Sequence, residues 1–177
     1  MKLYITRHGE TYMNAAGEIS GRTDTELTEK GMQQAMETGR ALQNKGICRI
    51  IASPLRRAQH TARLIAEQIG FDPARIQTDK RLIEQDYGAF EGQLWSPAFQ
   101  ENKSHFAKCY PGGESHMKVA ARTYALLDEL KAEGGAPTLL VCHGGVCRVM
   151  RTYFEDMTNE EFVKYAMQNC GVLEYDL

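Results

Sequence analysis

The 177-residue chain is 42% apolar and 25% charged, and its 21 basic and 23 acidic side chains leave a formal net charge of −2. That length predicts one domain, residues 1–177, with a real hydrophobic core, and the composition is ordinary for a globular protein. Nucleic acid and anionic membrane surfaces require a basic field, so neither partner is expected, and any anion site must be local.

The N-terminal Met1-Lys2-Leu3-Tyr4-Ile5 has neither the apolar length of a secretory signal nor an Arg-rich transit pattern, and Arg7 interrupts it. No stretch approaches the ~20 apolar residues of a membrane span. A cytoplasmic location is therefore expected. The five cysteines, Cys48, Cys109, Cys142, Cys147 and Cys170, are odd in number and contain no Cys-x-x-Cys pair, which predicts small buried thiols in a reducing compartment.

Leu3 to Thr6 reads as a short buried strand, and it runs directly into Arg7-His8-Gly9-Glu10-Thr11. A guanidinium beside an imidazole, followed by a glycine that permits close approach, suits an anionic substrate such as a phosphate. Thr28 to Lys45 reads as a helix through Met32, Ala35, Met36, Gly39 and Leu42. A second strand, Arg49 to Ala52, leads into Ser53-Pro54-Leu55. Ser53 is expected to cap the next helix and Pro54 to occupy its first turn. Leu55, Ala58, Ala62, Ile65 and Ile69 form its apolar stripe, and Gly70 ends it.

Ser115 to Glu133 is predicted helical through Val119, Arg122, Leu126, Leu127 and Leu130, ending at Gly134-Gly135 and Pro137. Thr138 to Cys142 is a third strand, and it runs into His143-Gly144-Gly145. Thr158-Asn159-Glu160-Glu161 has capping-box spacing for a last helix, and Val172 to Tyr175 is a closing strand. This alternation predicts an α/β fold with a central sheet between helices.

In open α/β sheets ligands bind beyond the C-terminal strand ends. The loops after Thr6, Ala52 and Cys142 should therefore converge, bringing Arg7 and His8, the Ser53–Arg57 segment and His143 to one place. Helix phase separates the two adjacent arginines. Arg56 shares a polar row with His60, Arg63 and Glu67, including an i,i+4 pair, and should face solvent. Arg57 shares the border of the apolar face with Thr61 and Leu64, so Arg57 is the candidate for the site, near a helix N-terminus that favours an anion.

Taken singly, these residues also have ordinary readings: a hydrogen-bonded histidine at a strand end, a surface carboxylate at Glu84, a turn at Gly144-Gly145. A metal site is the other chemical reading, since His8, His143, Glu10, Glu84 and Cys142 include zinc or iron ligand types. Fixed positive charge at Arg7 and Arg57, and the lack of His-x-x-x-His spacing, weigh against it. Neither metal nor cofactor is expected.

In combination the motifs resemble the histidine phosphatase superfamily, the group of phosphoglycerate mutase-like phosphatases. Those motifs are Arg7–Thr11 with Asn14, Ser53–Ala58 with Thr61-Ala62, Glu84–Gly92, Pro111–Ser115 and His143–Gly145. The resemblance runs in order over nearly the whole chain. It implies a mostly parallel sheet flanked by helices on both faces, with His8 as the nucleophile that accepts a phosphoryl group. It further implies that Arg7, Arg57, Asn14 and His143 hold the phosphate, His143 also counting among the catalytic groups, and that Glu84 is general acid and base. Ser20, Gly21, Tyr87 and Gly144 are expected to contact substrate. A histidine nucleophile needs one ring nitrogen neutral, so the other should donate to a backbone carbonyl.

Within that family, the cofactor-dependent mutases carry a longer basic insertion. Here the variable segment, about residues 93–113, is short, Trp95 stands where a lysine is usual, and no adjacent Arg pair follows. These departures favour water as acceptor, hence a phosphatase of a small phosphomonoester, with 2,3-bisphosphoglycerate-dependent mutase and a non-enzymatic phospho-ligand module as the alternatives. Trp95, Phe99, His105, Phe106, Tyr110 and His116 have two open readings, a stacking pocket mouth or a satellite core. Lys103 and Lys108 are expected at the surface.

Overall fold

The structure, a computed structural model, describes residues 1–177. Five strands form one sheet: β1 (Lys2–Arg7), β2 (Arg49–Ala52), β3 (Gln77–Thr78), β4 (Thr138–Cys142) and β5 (Val172–Asp176). Their order is β3-β2-β4-β1-β5, and every pairing is parallel except the antiparallel β1–β5 edge. The helices are α1 (Tyr12–Ala16), α2 (Glu29–Leu42), α3 (Arg56–Ile69), α4 (Pro97–Lys103), α5 (His116–Glu133), α6 (Gly144–Arg151) and α7 (Asn159–Lys164). None is long and apolar enough to cross a membrane.

Successive side chains of a strand point to opposite faces, and here both faces are apolar. Leu3, Ile5, Ile51, Leu140 and Cys142 pack with Val119, Leu126, Leu127 and Leu130 of α5, Val146 and Met150 of α6, and Phe162 of α7. Tyr4, Ile50, Ala52, Leu139 and Val141 pack on the other side, with Leu42 of α2 and Ala58, Ala62 and Ile65 of α3. All five residues of β4 are buried, as a central parallel strand requires. A one-residue slip would exchange the two sets, so register is strongly specified.

Most caps agree with the sequence. Thr28 accepts from Gly31 N–H and Ser115 from Lys118 N–H, while Thr158 and Glu161 form the reciprocal capping box. The helix begun at Thr28 ends at Leu42, short of Lys45. The start of α3 differs from expectation. Ser53 still extends the sheet, donating its N–H to Val141 O at 2.9 Å, and the helix begins at Arg56 with no side-chain cap from Leu55. The cap comes from a distant residue: Asp24 Oδ2 accepts from Arg56 N–H at 2.6 Å. Gly144 and Gly145 open α6 instead of forming a free turn. Three of the cysteines are buried, whereas Cys48 is exposed and Cys109 half-buried.

α2 crosses α3 at Gly39, where an added Cβ would lie 2.6 Å from Gln68 Cβ and 3.1 Å from Ile65 Cα. Glycine to alanine inside an exposed helix normally gains about 1 kcal/mol. Here overpacking, typically about 1–3 kcal/mol, should reverse the sign. Gly39→Ala is expected to lower the unfolding free energy measured by denaturant titration; a gain in stability would show that the crossing tolerates a methyl group.

Candidate active site

β2, β4 and β1 are adjacent in the sheet, so their C-terminal ends present Ser53, His143 and His8 side by side. His8 N–H donates to Cys142 O at 3.0 Å, keeping the loop after β1 in line with the end of β4. The loop after β1 is held to α3 by Thr61, whose hydroxyl accepts from Gly9 N–H (3.0 Å) and donates to Arg57 O (2.8 Å). Gly9 cannot be larger, because a Cβ there would meet Gly31 O at 2.3 Å.

The His8 ring is buried, and both of its nitrogens are engaged. Nδ1 lies 2.7 Å from Gly9 O, and Nε2 lies 3.2 Å from Arg57 Nε. A guanidinium has only donors, so Nε2 must accept and Nδ1 must carry the proton. Burial first, then the charges of Arg57 and Arg7, push His8 well below the usual imidazole range. The neutral tautomer with its lone pair on Nε2 is therefore favoured.

His143 is fully buried, meeting His8 edge-on with ring centroids 5.1 Å apart. Its Nε2 contacts Ser53 Oγ at 2.7 Å, and its Nδ1 has no partner within the protein. Burial, then Arg57, His8 and Arg7, likewise hold it well below the ordinary value. Ser53 is thus a support for His143, which accounts for its absence as a helix cap.

Arg57 faces inward, as its helix phase predicts, and is fully buried, while Arg56 is exposed and pairs with Glu26. Arg57 Nη1 donates to Thr23 O (2.9 Å) and Asp24 Oδ1 (3.2 Å), and Nη2 donates to Gly21 O (2.6 Å). That loop is organised by Glu91. Its Oε2 accepts from Gly21 N–H (3.0 Å) and Thr23 N–H (3.1 Å), and its Oε1 from Arg22 N–H (2.9 Å) and Tyr87 N–H (3.2 Å). Burial raises the Glu91 carboxyl, but the backbone donors outweigh it and hold it below the usual carboxylate range.

Glu84 is buried at the N-terminus of α6. It accepts from Gln85 N–H (2.8 Å), Gly145 N–H (3.0 Å) and Val146 N–H (3.2 Å). Its oxygens thereby satisfy N–H groups that the first turn of a helix leaves without partners. A Cβ at Gly145 would lie 2.7 Å from both Glu84 Oε1 and Tyr87 Oη, so only glycine leaves room for this arrangement. Arg22 Nε reaches Glu84 O at 2.8 Å and steadies the same segment.

These groups surround a cavity of about 430 Å³ lined by Arg7, His8, Asn14, Ser20, Glu84, Tyr87 and Gly144, among others. Arg57 and His143 are fully buried and both touch the His8 ring. Gly21 does not line the cavity; its carbonyl accepts from Arg57 Nη2, a correction to its expected contact with substrate. Arg7 Nη1 donates to Met167 O at 2.7 Å, and its buried Nε is unpartnered. Asn14 Oδ1 accepts from Thr11 N–H and Asn169 Nδ2, which leaves its amide nitrogen for a ligand. No three His, Cys, Asp or Glu side chains come together in a metal-holding cluster. Glu10 is taken by Lys30 (2.7 Å) and Thr28 (3.0 Å).

The variable segment divides. Tyr87, Phe99, Tyr110 and Ile19 form a small buried cluster, and Phe99 and the exposed Trp95 also line the cavity. Phe106 and His116 pack elsewhere, against Phe162, and His105 is exposed. Lys103 is not a surface charge; it is buried in the cavity wall, as is Arg148. Asn169, which donates to His8 O at 3.0 Å, was not legible beforehand because it approaches from beyond α7.

A buried histidine with flanking cations and the Glu84 carboxyl on one cavity is an arrangement that can position a phosphoryl group and stabilise its charge. The family profile "Histidine phosphatase superfamily (branch 1)" matches residues 3–177, and the chain belongs to that superfamily. A probable phosphoglycerate mutase, GpmB, of Salmonella paratyphi B is 37% identical over 81% of this chain and 70% of its own length. A mycobacterial glucosyl-3-phosphoglycerate phosphatase superposes with a TM-score of 0.85 at 29% identity, covering 98% of this chain and 88% of that one. A putative alpha-ribazole-5'-P phosphatase from Escherichia coli has a TM-score of 0.82 over 99% and 91% of the two chains, and at 24% identity this likeness speaks to the fold alone. The chain is a phosphoryl-transfer enzyme of the phosphatase or mutase kind.

An amide at position 91 would present one acceptor oxygen and one N–H₂ group to the four donors that Glu91 now satisfies. Glu91→Gln is expected to cost about 1–3 kcal/mol of unfolding free energy by denaturant titration and to weaken inorganic phosphate binding. Unchanged values for both would remove Glu91 from the support of the loop around Arg57.

Proposed function

We propose that the protein is a metal-independent phosphatase that hydrolyses a small phosphomonoester through a phosphohistidine on His8. The observation that carries this reading is the His8 ring, protonated at Nδ1 by its bond to Gly9 O and bare at Nε2, with Glu84 across the same cavity. An incoming phosphoryl oxygen takes the N–H of Arg57 Nε, which frees the Nε2 lone pair for attack on phosphorus. Arg7 Nε, the Asn14 amide and the unpartnered His143 Nδ1 are further donors for the three equatorial oxygens. His143 can donate there when Ser53 Oγ–H donates to its Nε2.

Glu84 enters the cycle protonated, and as the P–O bond to the alcohol breaks it supplies the proton that the leaving oxygen needs. Ionised Glu84 then takes a proton from water, whose oxygen attacks phosphorus and releases neutral His8 and inorganic phosphate. Phosphoryl transfer demands mostly positioning and charge stabilisation, which the two arginines provide. Ser20, Tyr87 and Gly144 bound the space for the alcohol part.

Rapid quench of enzyme turning over p-nitrophenyl phosphate should trap an acid-labile phosphohistidine that is absent in His8→Ala. Turnover without any trapped phosphoenzyme would overturn the covalent route, and turnover dependent on 2,3-bisphosphoglycerate would reverse the choice of phosphatase over mutase. Glu84→Gln should lose far more kcat on an alkyl phosphate, whose alkoxide needs a proton, than on p-nitrophenyl phosphate. Equal losses on the two substrates would take general acid catalysis away from Glu84.

A further inference from the structure

Two cations in the cavity wall have no counter-ion. Lys103, at the end of α4, is 5% exposed, and Arg148, on α6, is 7% exposed. Both line the cavity that contains His8 and Glu84, yet neither forms an ion pair or a side-chain hydrogen bond. Lys103 Nζ has only the Trp95 ring at 5.4 Å, Arg148 Cζ only the Phe162 ring at 5.5 Å, and Arg148 Nε is buried and unpartnered. The other cations of the site have acceptors: Arg57 has Asp24 and three carbonyls, and Arg7 has Met167 O.

An unpaired buried charge costs several kcal/mol, and two near one another cost more. Their proximity is felt electrostatically: burial and then the charge of Arg148 draw Lys103 down to about 8. The position of Lys103 is held, since its carbonyl accepts from His116 Nε2–H at 2.9 Å. Arg148 lies four residues beyond Gly144, roughly 6 Å further along α6 at 1.5 Å per residue. A three-carbon alcohol with a terminal anion is of comparable length.

We propose that Lys103 and Arg148 form a second anion subsite, which selects phosphomonoesters whose short alcohol part carries a carboxylate or a second phosphate. This rests on the phosphatase reading for its turnover test, but not for its binding test. A charge-assisted hydrogen bond contributes about 1.5–3 kcal/mol, so each cation is worth roughly tenfold or more in selectivity.

The turnover test compares kcat/KM for propyl phosphate, 3-(phosphonooxy)propanoate and propane-1,3-diyl bisphosphate on wild type, Lys103→Gln and Arg148→Gln. Wild type should favour at least one anion-bearing ester over propyl phosphate by tenfold or more, and each substitution should reduce that ratio about tenfold. The larger preference tells a carboxylate from a phosphate. The binding test titrates 3-phosphonopropanoate and propylphosphonate, which cannot be hydrolysed, into the same three proteins. Tighter binding of 3-phosphonopropanoate that is lost in the variants supports the subsite even where no ester is turned over, a result that would sink the phosphatase reading alone. Equal affinity of wild type for the two phosphonates, or a preference that survives both substitutions, overturns the subsite.

Discussion

The burial of one guanidinium governs how this site is built. Arg57 is fully enclosed, and a charge in that position survives only if its donors are matched. One carboxylate, three carbonyls and the Nε2 lone pair of His8 do the matching. The consequence extends in three directions. The His8 tautomer is set, the chain from Gly21 to Asp24 must wrap the guanidinium, and Asp24, already there, closes the open N-terminus of α3. Glu91 then collects four N–H groups so that this wrapping loop has a single conformation. A loop that would otherwise be among the least stable parts of the fold is thereby tied to the core.

Charge in the cavity is laid out by sheet order and helix polarity. Cations come from the ends of β1 and from α3, whereas Glu84 is drawn to the opposite wall by the free N–H groups of α6. His143, the residue just before α6, ties the two walls together, touching His8 with its ring edge and Ser53 with its Nε2. Substrate discrimination belongs to a different part of the chain. The segment around α4 adds Trp95, Phe99 and Lys103 to a wall that also includes Arg148.

Much of the fold was readable from period and punctuation. The strands at Leu3, Arg49, Thr138 and Val172 and the helices capped by Thr28, Ser115 and Thr158 lie where apolar spacing and caps put them. Convergence of three strand-end loops followed from the rule for open α/β sheets, and helix phase alone selected Arg57 over Arg56. Local signals failed where a distant residue supplied the partner. Ser53-Pro54 has the composition of a helix start, but His143 claims the hydroxyl, and Asp24, 32 positions before Arg56, supplies the cap. Lys103 has the composition of a surface residue, and its burial depends on α4 folding over the cavity, for which no periodic pattern existed.

The sequence by itself determined the alternation of strands and helices, the family motifs and the identity of the chemical groups, because period, capping and residue type are local properties. Only the tertiary structure decided which donors meet which acceptors. It turned Arg57 onto His8, withdrew Gly21 into a supporting position, set Glu84 on the first turn of α6 and left Lys103 and Arg148 buried without counter-ions. Those outcomes depend on contacts between residues far apart in the chain, where burial raises the cost of every unmatched charge.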